Sequence, residues 1–177
     1  NASAISLTDT LNTKMKRFDL MHHVNVRATF MLSKACIPHL KKSTNPHILN
    51  NSPPLSMKPK WFSGYTAYTM SKYGMSMCVL GMAEELKPEG IAVNALWPKT
   101  AIATAAVEFE LGGKDMLKNC RKPDIMADAA YEILSKDSKQ CTGNFFIDED
   151  VLRESGVNDF EHYSVVPGAP LTPDFFI

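Results

Sequence analysis

The strongest constraint on the fold is the apolar run IAVNALW at 91–97, which directly follows the helix-breaking sequence KPEG at 87–90. Every residue of the run except Asn94 is apolar, whereas a strand with one face in water alternates apolar and polar residues. A strand of this composition is covered on both faces, as in a parallel sheet flanked by helices. The run therefore predicts an α/β fold.

The rest of the chain supplies the other elements of such a fold. Apolar residues recur at helical spacing in several segments, and short apolar runs bounded by proline or glycine lie between them. Predicted helices cover residues 16–43, 65–86, 101–111 and 123–135, and predicted strands cover 47–51, 91–97 and 142–148, with the end of a further strand plus a loop at 1–7.

Composition excludes several functional classes. The 177 residues are 45% hydrophobic and carry 19 basic and 19 acidic side chains, which suits one globular domain and gives no field toward nucleic acid. No apolar run is long enough for a membrane span. The four cysteines form no CxxC pair and adjacent His22 and His23 diverge on a helix, so no metal site is predicted. Acidic residues without ligand spacing are interpreted as solvated: Glu108, Glu110, Asp148, Glu149 and Asp150.

Polar residues follow three of the predicted strands. They are NAS at 1–3, NNS at 50–52 and WPKT at 97–100. Parallel sheets bind ligands at the carboxyl ends of their strands. We therefore expect the three groups to face one cleft.

Tyr68 and Lys72 are spaced to share one face of the helix predicted at 65–86. A lysine ammonium beside a phenol favours the phenolate and lowers the pKa of the tyrosine. Such a tyrosine can act as a general acid or base on an alcohol or carbonyl oxygen. A tyrosine and a lysine at this spacing also occur by chance, so the pair alone does not identify a site.

Other motifs accompany the pair in order along the chain. NAS at 1–3, Asn25 in HHVNVRATF, ILNNS at 48–52, YTMSK at 68–72 and VNALWPKTAIAT at 93–104 resemble motifs of the short-chain dehydrogenase/reductase family. The resemblance covers almost the entire chain. It implies the C-terminal part of a doubly wound, Rossmann-type parallel sheet, with the N-terminal strands missing from the printed sequence.

The resemblance also implies roles for individual residues. Tyr68 would exchange a proton with the substrate oxygen, and Lys72 would hold the nicotinamide ribose and lower the pKa of Tyr68. Asn25 would hold a water that links Lys72 to solvent, and Ser52 would be the catalytic serine. Tyr68, Lys72, Asn1 and Ile102 would contact the cofactor, expected to be NADP with NAD as the alternative.

The sequence departs from the family pattern in three places. Ser52 lies 16 positions before Tyr68, a longer spacing than usual, and Pro53 replaces a second serine, so Ser52, Ser56 or no serine takes the catalytic role. The usual Pro-Gly turn reads Pro98-Lys99. No Thr-Gly-x-x-x-Gly-x-Gly sequence is present to receive the cofactor pyrophosphate.

Four narrower sequences resemble one branch of the family, with an NADP-type reductase domain followed by a sterol-carrier-like domain. They are SPP at 52–54, LGMAEEL at 80–86, ALWPKTAI at 95–102 and PDFF at 173–176. This branch implies a lipid-like substrate with a hydroxyl or carbonyl group and a peroxisomal location, with a mitochondrial or cytoplasmic location as the alternative.

Residues 1–163 are accordingly expected to form the C-terminal part of the reductase domain, and 164–177 an extended tail or linker. The helix at 65–86 is apolar around its whole circumference, which predicts a homo-oligomer that buries its outer face. The competing hypothesis is an inactive fragment or isoform that acts only as an interaction or lipid-binding module.

Overall fold

The computed structural model describes the backbone of residues 1–177 and all side chains except those of Glu110 and Leu111. The helices are α1 (Met15–Met21), α2 (Ala28–Leu40), α3 (Thr66–Leu86), α4 (Gly113–Leu117), α5 (Asp124–Ser135) and α6 (Asp148–Glu154). The strands are β1 (His47–Asn50), β2 (Ala92–Trp97) and β3 (Phe145–Ile147). A π-helical turn, His22–Arg27, joins α1 to α2, and another covers Val107–Leu111. Within this description, no helix combines the length and apolar character needed to cross a membrane.

The three strands form one parallel sheet in the order β1-β2-β3. Every residue of the central strand β2 is buried, as the apolar run predicted. Its side chains alternate between two helical layers: Val93 and Ala95 pack toward α3, and Leu96 packs toward α5 and α6. The predicted α/β fold with helices on both faces of a parallel sheet is confirmed.

Two of the predicted elements are wrong in their extent. The described backbone of residues 1–7 forms no strand, because the side chain of Asn1, rather than a strand backbone, bonds to the end of β1. The helix predicted at 101–111 starts only after residue 104. Residues 101–103 are instead extended, since Ala101 N donates to Thr172 O at 2.9 Å and Ala103 N donates to Arg121 O at 2.8 Å.

Two acidic side chains expected to be solvated are buried. Asp148 is 0% exposed and Glu149 is 4% exposed, whereas Asp150 is exposed as expected. The first two are held inside by partners: Asp148 accepts hydrogen bonds from backbone N–H groups, and Glu149 forms an ion pair with Arg121 at 2.6 Å. The Glu110 side chain lies outside the described residues.

The segment 164–177 is extended, but it packs against the domain. Its residue Pro173 forms an isolated antiparallel bridge with Thr100, and Phe176 is buried among the aromatic rings of Trp61, Tyr73 and Trp97. In this structure the segment is therefore part of the folded core at the carboxyl end of the sheet.

Candidate active site

A cavity of about 680 Å³ opens at the carboxyl end of the sheet. Its walls include the start of α3, the turn after β2 and the C-terminal segment, together with residues of the N-terminal segment, the end of β1 and the region 104–126. Residues important for its chemistry are Asn51, Tyr68, Trp97, Ile102, Asp174 and Phe175. The polar residues Asn51 and Asp174 therefore line the same cavity as apolar and aromatic residues, as expected of a binding cleft in an α/β fold.

Lys72 lies beneath this cavity and is only 3% exposed. Its Nζ donates a hydrogen bond to the Asn51 carbonyl at 2.9 Å and lies 4.8 Å from the centre of the Trp97 ring. Burial lowers the pKa of Lys72 to about 8, and the negative charge of Asp174 opposes that effect. The site therefore holds an ammonium group in surroundings that penalise its charge.

Tyr68 lines the cavity one helical turn before Lys72 and is 7% exposed. Its ring stacks on Phe176, with centroids 6.2 Å apart, and meets Phe175 edge-on at 6.3 Å. Burial, together with Asp174, raises the pKa of Tyr68 above its ordinary value. Burial thus acts against the lowering expected from Lys72, and that expected effect of Lys72 stays a prediction.

Asn25 lies in the π-helical turn between α1 and α2, and it is fully buried. Its Oδ1 accepts hydrogen bonds from Ser3 Oγ and Ala4 N, and its Nδ2 donates to Ala4 O and to Ser71 Oγ in α3. Its backbone carbonyl accepts from Thr29 Oγ1 at 2.6 Å. Asn25 thus joins the N-terminal segment to α3, next to Lys72, and its expected role with water stays a prediction.

The remaining predicted site residues occupy different positions. Ile102 lines the cavity, as a cofactor contact should. Asn1 is exposed and reaches the site only through Asn51, whose backbone N–H donates to Asn1 Oδ1 at 2.7 Å. Ser52 is 0% exposed and is not among the residues lining the cavity, and its Oγ has no hydrogen-bond partner among the described residues. Whether Ser52, Ser56 or no serine takes the catalytic role stays open.

The turn after β2 is fixed by the buried acidic residues. Asp148 Oδ1 accepts from the Lys99 backbone N–H at 2.9 Å, and Glu149 lies 3.3 Å from Lys99 Nζ. Burial raises the pKa of Asp148 to about 6. These contacts hold the 97–102 wall of the cavity in place, so the unusual Pro98-Lys99 turn is anchored rather than loose.

Sequence reasoning missed Asp174, Phe175 and Phe176. Their contacts with Tyr68 and Trp97 span much of the chain, and no periodic pattern marks them. Two signals were available: the resemblance of PDFF at 173–176 to one branch of the family, and two adjacent phenylalanines in a segment interpreted as a tail or linker, since exposed linkers rarely carry large aromatic residues.

A family model described as enoyl-(acyl carrier protein) reductase, one of the short-chain dehydrogenase models, matches residues 1–148. The chain belongs to the short-chain dehydrogenase/reductase family. The predicted family is thus confirmed.

Individual members of the family agree with this assignment. Hydroxysteroid dehydrogenase-like protein 2 of Xenopus laevis is 62% identical over 177 residues, which are 100% of this chain and 42% of that protein. The human protein of the same name is also 62% identical, with the same coverage. The chain therefore spans about two fifths of the length of these curated relatives.

Solved structures extend the comparison to the fold. A dehydrogenase from Xanthomonas campestris matches with a TM-score of 0.95 and 48% identity, covering 100% of this chain and 64% of that one. A short-chain dehydrogenase from Mycobacterium thermoresistibile matches with a TM-score of 0.92 and 51% identity, covering 100% of this chain and 62% of that one. The chain thus has the C-terminal part of a Rossmann-type dehydrogenase fold.

Family membership implies a nicotinamide cofactor, and the cavity residues fit one half of it. Tyr68, Trp97 and Ile102 line the cavity, and the buried Lys72 ammonium lies over the Trp97 ring, a set that suits a nicotinamide ring and its ribose. The printed sequence contains no glycine-rich turn for the pyrophosphate. The residues that would hold the adenosine half are therefore not found in this chain.

Proposed function

We propose that the whole protein carrying this chain is an NADP-dependent oxidoreductase that acts on a hydroxyl or carbonyl group of a lipid-like substrate. The observation that carries the proposal is the placement of Tyr68 in the wall of an apolar cavity, one turn from a buried lysine. A buried ammonium is costly to maintain, so its presence at a cavity points to function.

Tyr68 acts in this proposal as the acid/base. The nicotinamide, when bound, supplies or accepts the hydride. The Tyr68 hydroxyl is protonated at neutral pH and is the proton donor to a carbonyl oxygen in this proposal, while burial, which raises its pKa, makes it a weaker acid until substrate and cofactor are bound. Lys72, one helical turn further along α3, would supply the positive charge for the phenolate that forms when that proton leaves. The tyrosine is therefore set for carbonyl reduction in its resting state.

The cavity wall favours an apolar substrate. Trp97, Ile102 and Phe175 contribute aromatic or aliphatic surface, and the volume of about 680 Å³ is within the range of ordinary small-molecule sites. Apolar surface on a ligand gains about 25 cal/mol for each Å² that the cavity removes from water. A carbonyl attached to a long or cyclic hydrocarbon would use both the wall and Tyr68.

The proposal is tested by measuring reduction of a panel of aliphatic and cyclic carbonyl compounds by the whole protein, with NADPH or NADH. We expect turnover of apolar carbonyl compounds and a preference for NADPH. Equal use of NADH would reject the cofactor assignment, and failure of every carbonyl compound with either cofactor would reject the oxidoreductase assignment for this site.

The alternative is that the chain by itself is an inactive interaction or lipid-binding module. It is favoured by the lack of a pyrophosphate-binding turn in the printed sequence, combined with a formed apolar cavity. Fluorescence titration of residues 1–177 with NADPH separates the cases. We expect no binding at micromolar NADPH, and micromolar affinity would show that the adenosine half is not needed.

We further propose a homodimer through α3 and α2. On α3, Met70, Met77 and Leu80 are each about half exposed, and on α2 Phe30 and Met31 are exposed to a similar extent, with Cys78 of α3 beside them. Large apolar side chains left exposed on two neighbouring helices support an interface. Sedimentation of the whole protein should give a dimeric or larger mass, and a monomeric mass would contradict the proposal.

A peroxisomal location, with a mitochondrial or cytoplasmic one as the alternative, is proposed from the resemblance alone. A fluorescent fusion of the whole protein, imaged with a marker for each compartment, tests it directly. Signal that overlaps only the mitochondrial or cytoplasmic marker would reject the peroxisomal assignment.

A further inference from the structure

A buried arginine between α4 and α5 pairs with the wall of the cavity. Arg121 is 7% exposed, and its backbone bonds to the wall on both sides of Ile102. Arg121 N donates to Ala101 O at 2.9 Å, and Ala103 N donates to Arg121 O at 2.8 Å. Ile102, between these two bonds, forms a parallel bridge with Arg121 and lines the cavity. The backbone of Arg121 therefore sets the position of Ile102 in the wall.

The side chain of Arg121 is held at both of its terminal nitrogens. Nη2 donates to Glu149 Oε1 at 2.6 Å, and Nη1 donates to the Phe160 carbonyl at 2.9 Å. The central carbon of the guanidinium also lies 5.3 Å from the centre of the Phe160 ring. Charge-assisted hydrogen bonds are stronger than neutral ones, and the planar guanidinium makes them directional. The arginine is therefore fixed against α6 and residue 160.

Glu149 joins the same arginine to the beginning of the wall. Its Oε2 lies 3.3 Å from Lys99 Nζ, so one buried carboxylate contacts both Arg121 and Lys99. Its backbone is fixed as well, because Glu149 N and Lys99 N both donate to Asp148 Oδ1, at 2.7 Å and 2.9 Å. The wall is thus held at residue 99 by α6 and at residues 101–103 by Arg121.

A contribution to overall stability does not account for this buried ion pair. Desolvation of two charges offsets most of their attraction, so apolar side chains of similar volume often stabilise a protein as well or better. The best-established use of buried polar and ionic groups is to fix one register or arrangement. Here the fixed arrangement is that of the cavity wall, since the bonded backbone groups lie on either side of Ile102.

We propose that Arg121 is a positioning residue for the nicotinamide: held by Glu149, it fixes residues 101–103 so that Ile102 contacts the ring of the bound cofactor. The inference rests on the proposed function for the identity of the ligand. Arg121 itself touches neither cofactor nor substrate and acts only through the backbone of the wall. The dependence of the wall on Arg121 is a property of the protein without cofactor.

Hydrogen exchange of the whole protein without cofactor, followed by mass spectrometry, tests whether the wall depends on Arg121. Arg121→Lys keeps the positive charge but lacks the planar fork that bonds Glu149 and the Phe160 carbonyl together. We expect peptides covering 99–106 to exchange about tenfold faster, as expected on loss of a charge-assisted hydrogen bond. Residues 91–97 should keep their rate. Unchanged exchange at 99–106, or an equal increase at 91–97, would overturn the proposal.

Two further variants separate the ion pair from a general effect of substitution. Glu149→Gln removes the charge that holds Arg121 with little change of shape, and it should loosen residues 99–106 as Arg121→Lys does. Arg153 of α6 also contacts Glu149, at 3.4 Å, but its side chain is 52% exposed. Arg153→Lys is therefore the control and should leave the exchange unchanged. No effect of Glu149→Gln, or an equal effect of Arg153→Lys, would contradict the proposal.

Fluorescence titration of the whole protein with NADPH tests whether Arg121 acts through Ile102. Arg121→Lys and Ile102→Ala should each weaken NADPH binding by about tenfold, since each disturbs the same ring contact. Adding Arg121→Lys to Ile102→Ala should weaken binding by less than about twofold more, because residues that act through one contact are not additive. Fully additive losses, or an unchanged affinity in Arg121→Lys, would overturn the positioning role.

Failure of this inference can be told from failure of the proposed function. Hydrogen exchange needs neither cofactor nor turnover, so it reports on Arg121 in a protein that catalyses no reduction. If the unmodified whole protein binds no NADPH while the exchange results are as expected, the proposed function is rejected and the placement of the wall by Arg121 is supported. If NADPH binds and the exchange at 99–106 is unchanged in both Arg121→Lys and Glu149→Gln, only the present inference is rejected.

Discussion

Lys72 Nζ donates a hydrogen bond to the backbone carbonyl of Asn51 at 2.9 Å. The bond joins the middle of the site, on α3, to the residue that follows the last residue of β1. It places the ammonium below the cavity lined by Tyr68 and Trp97. Lys72, the expected cofactor contact, is therefore linked to the carboxyl end of β1 by this hydrogen bond.

Replacing Lys72 by methionine should stabilise the protein while removing its activity. Burial lowers the pKa of Lys72 from 10.5 to about 8, so the charged form carries a free-energy penalty of up to about 3 kcal/mol at neutral pH. The variant also loses the hydrogen bond to Asn51, and this loss offsets about 1–2 kcal/mol of the stability gained by removing the buried charge. Urea unfolding at pH 7 should show a gain of about 1–2 kcal/mol.

The same variant has a predictable dependence on pH. The Lys72 pKa is lower in the folded state, so the unfolded chain binds more protons between about pH 8 and 10.5, and the unmodified protein gains stability over that interval. The advantage of Lys72→Met should therefore shrink as the pH rises from 8 to 10.5. An advantage that grows over this interval would show that the ammonium is not the source of the penalty.

Alanine substitutions at two glycines of α3 should have opposite effects on the free energy of unfolding. A Cβ on Gly74 would lie 2.6 Å from Val26 Cγ2, because the π-helical turn packs directly against α3 there, whereas a Cβ on Gly81 meets nothing within 4 Å. Gly74→Ala should lower the free energy of unfolding by about 1–3 kcal/mol through overpacking. Gly81→Ala should raise it by about 0.5–1 kcal/mol, since alanine is the better helix former.

Urea unfolding of both variants, with Val26→Ala combined with Gly74→Ala, tests the contact itself. The double variant should recover part of the loss, because the smaller side chain leaves room for the new methyl group. If Gly74→Ala is as stabilising as Gly81→Ala, the close approach of the two segments is not present in solution.

Removing the Phe176 ring should weaken docking of the C-terminal segment. Phe176 is 5% exposed and contacts Tyr68 and Trp97, and it adopts a φ of 75°, a conformation that costs a non-glycine residue about 1–3 kcal/mol. Phe176→Ala should lower the free energy of unfolding by about 3 kcal/mol. Phe109→Ala, at a phenylalanine that is 77% exposed, is the control and should change it by less than about 0.5 kcal/mol.

Asp148 should make stability depend on pH in the acid range. Its pKa rises from 3.8 to about 6 on folding, mainly through burial, so the folded state binds more protons between these values and loses stability as pH increases. Relative to Asp148→Asn, the unmodified protein should therefore lose up to about 3 kcal/mol from pH 4 to pH 6. Urea unfolding at several pH values checks this. Exposed Asp150, changed to asparagine, should show no such trend.

The elements that the sequence predicted well are those whose signals are local. The apolar run at 91–97 became the buried strand β2, because burial on both faces leaves a continuous mark in the sequence, and the apolar pattern at 65–86 became α3. The placement of Asn51, Trp97 and Pro98 in one cavity was predicted from the rule that parallel strands present their carboxyl ends together, whereas Ile102 was expected there from the family resemblance alone.

The features that sequence reasoning missed depend on contacts between distant residues. Glu149 follows a strand in an acidic cluster, a pattern that predicts a solvated side chain. In the structure it instead accepts a hydrogen bond from Arg121, 28 positions earlier in the chain. Asp174 lines the cavity only because the proline-containing segment folds back over the sheet. The pKa of Tyr68 could not be predicted either, since two phenylalanines that desolvate its ring come from the same segment.

The measurement that most directly tests the account is the single-turnover rate of carbonyl reduction by the whole protein with saturating NADPH, for Tyr68→Phe and for Tyr131→Phe, whose tyrosine is 71% exposed on α5. If Tyr68 donates the proton, Tyr68→Phe should lower the rate by about 10²–10⁴-fold. Its thermal midpoint should stay unchanged, and Tyr131→Phe should behave as the unmodified protein. A folded Tyr68→Phe variant that keeps the full rate would contradict the central claim.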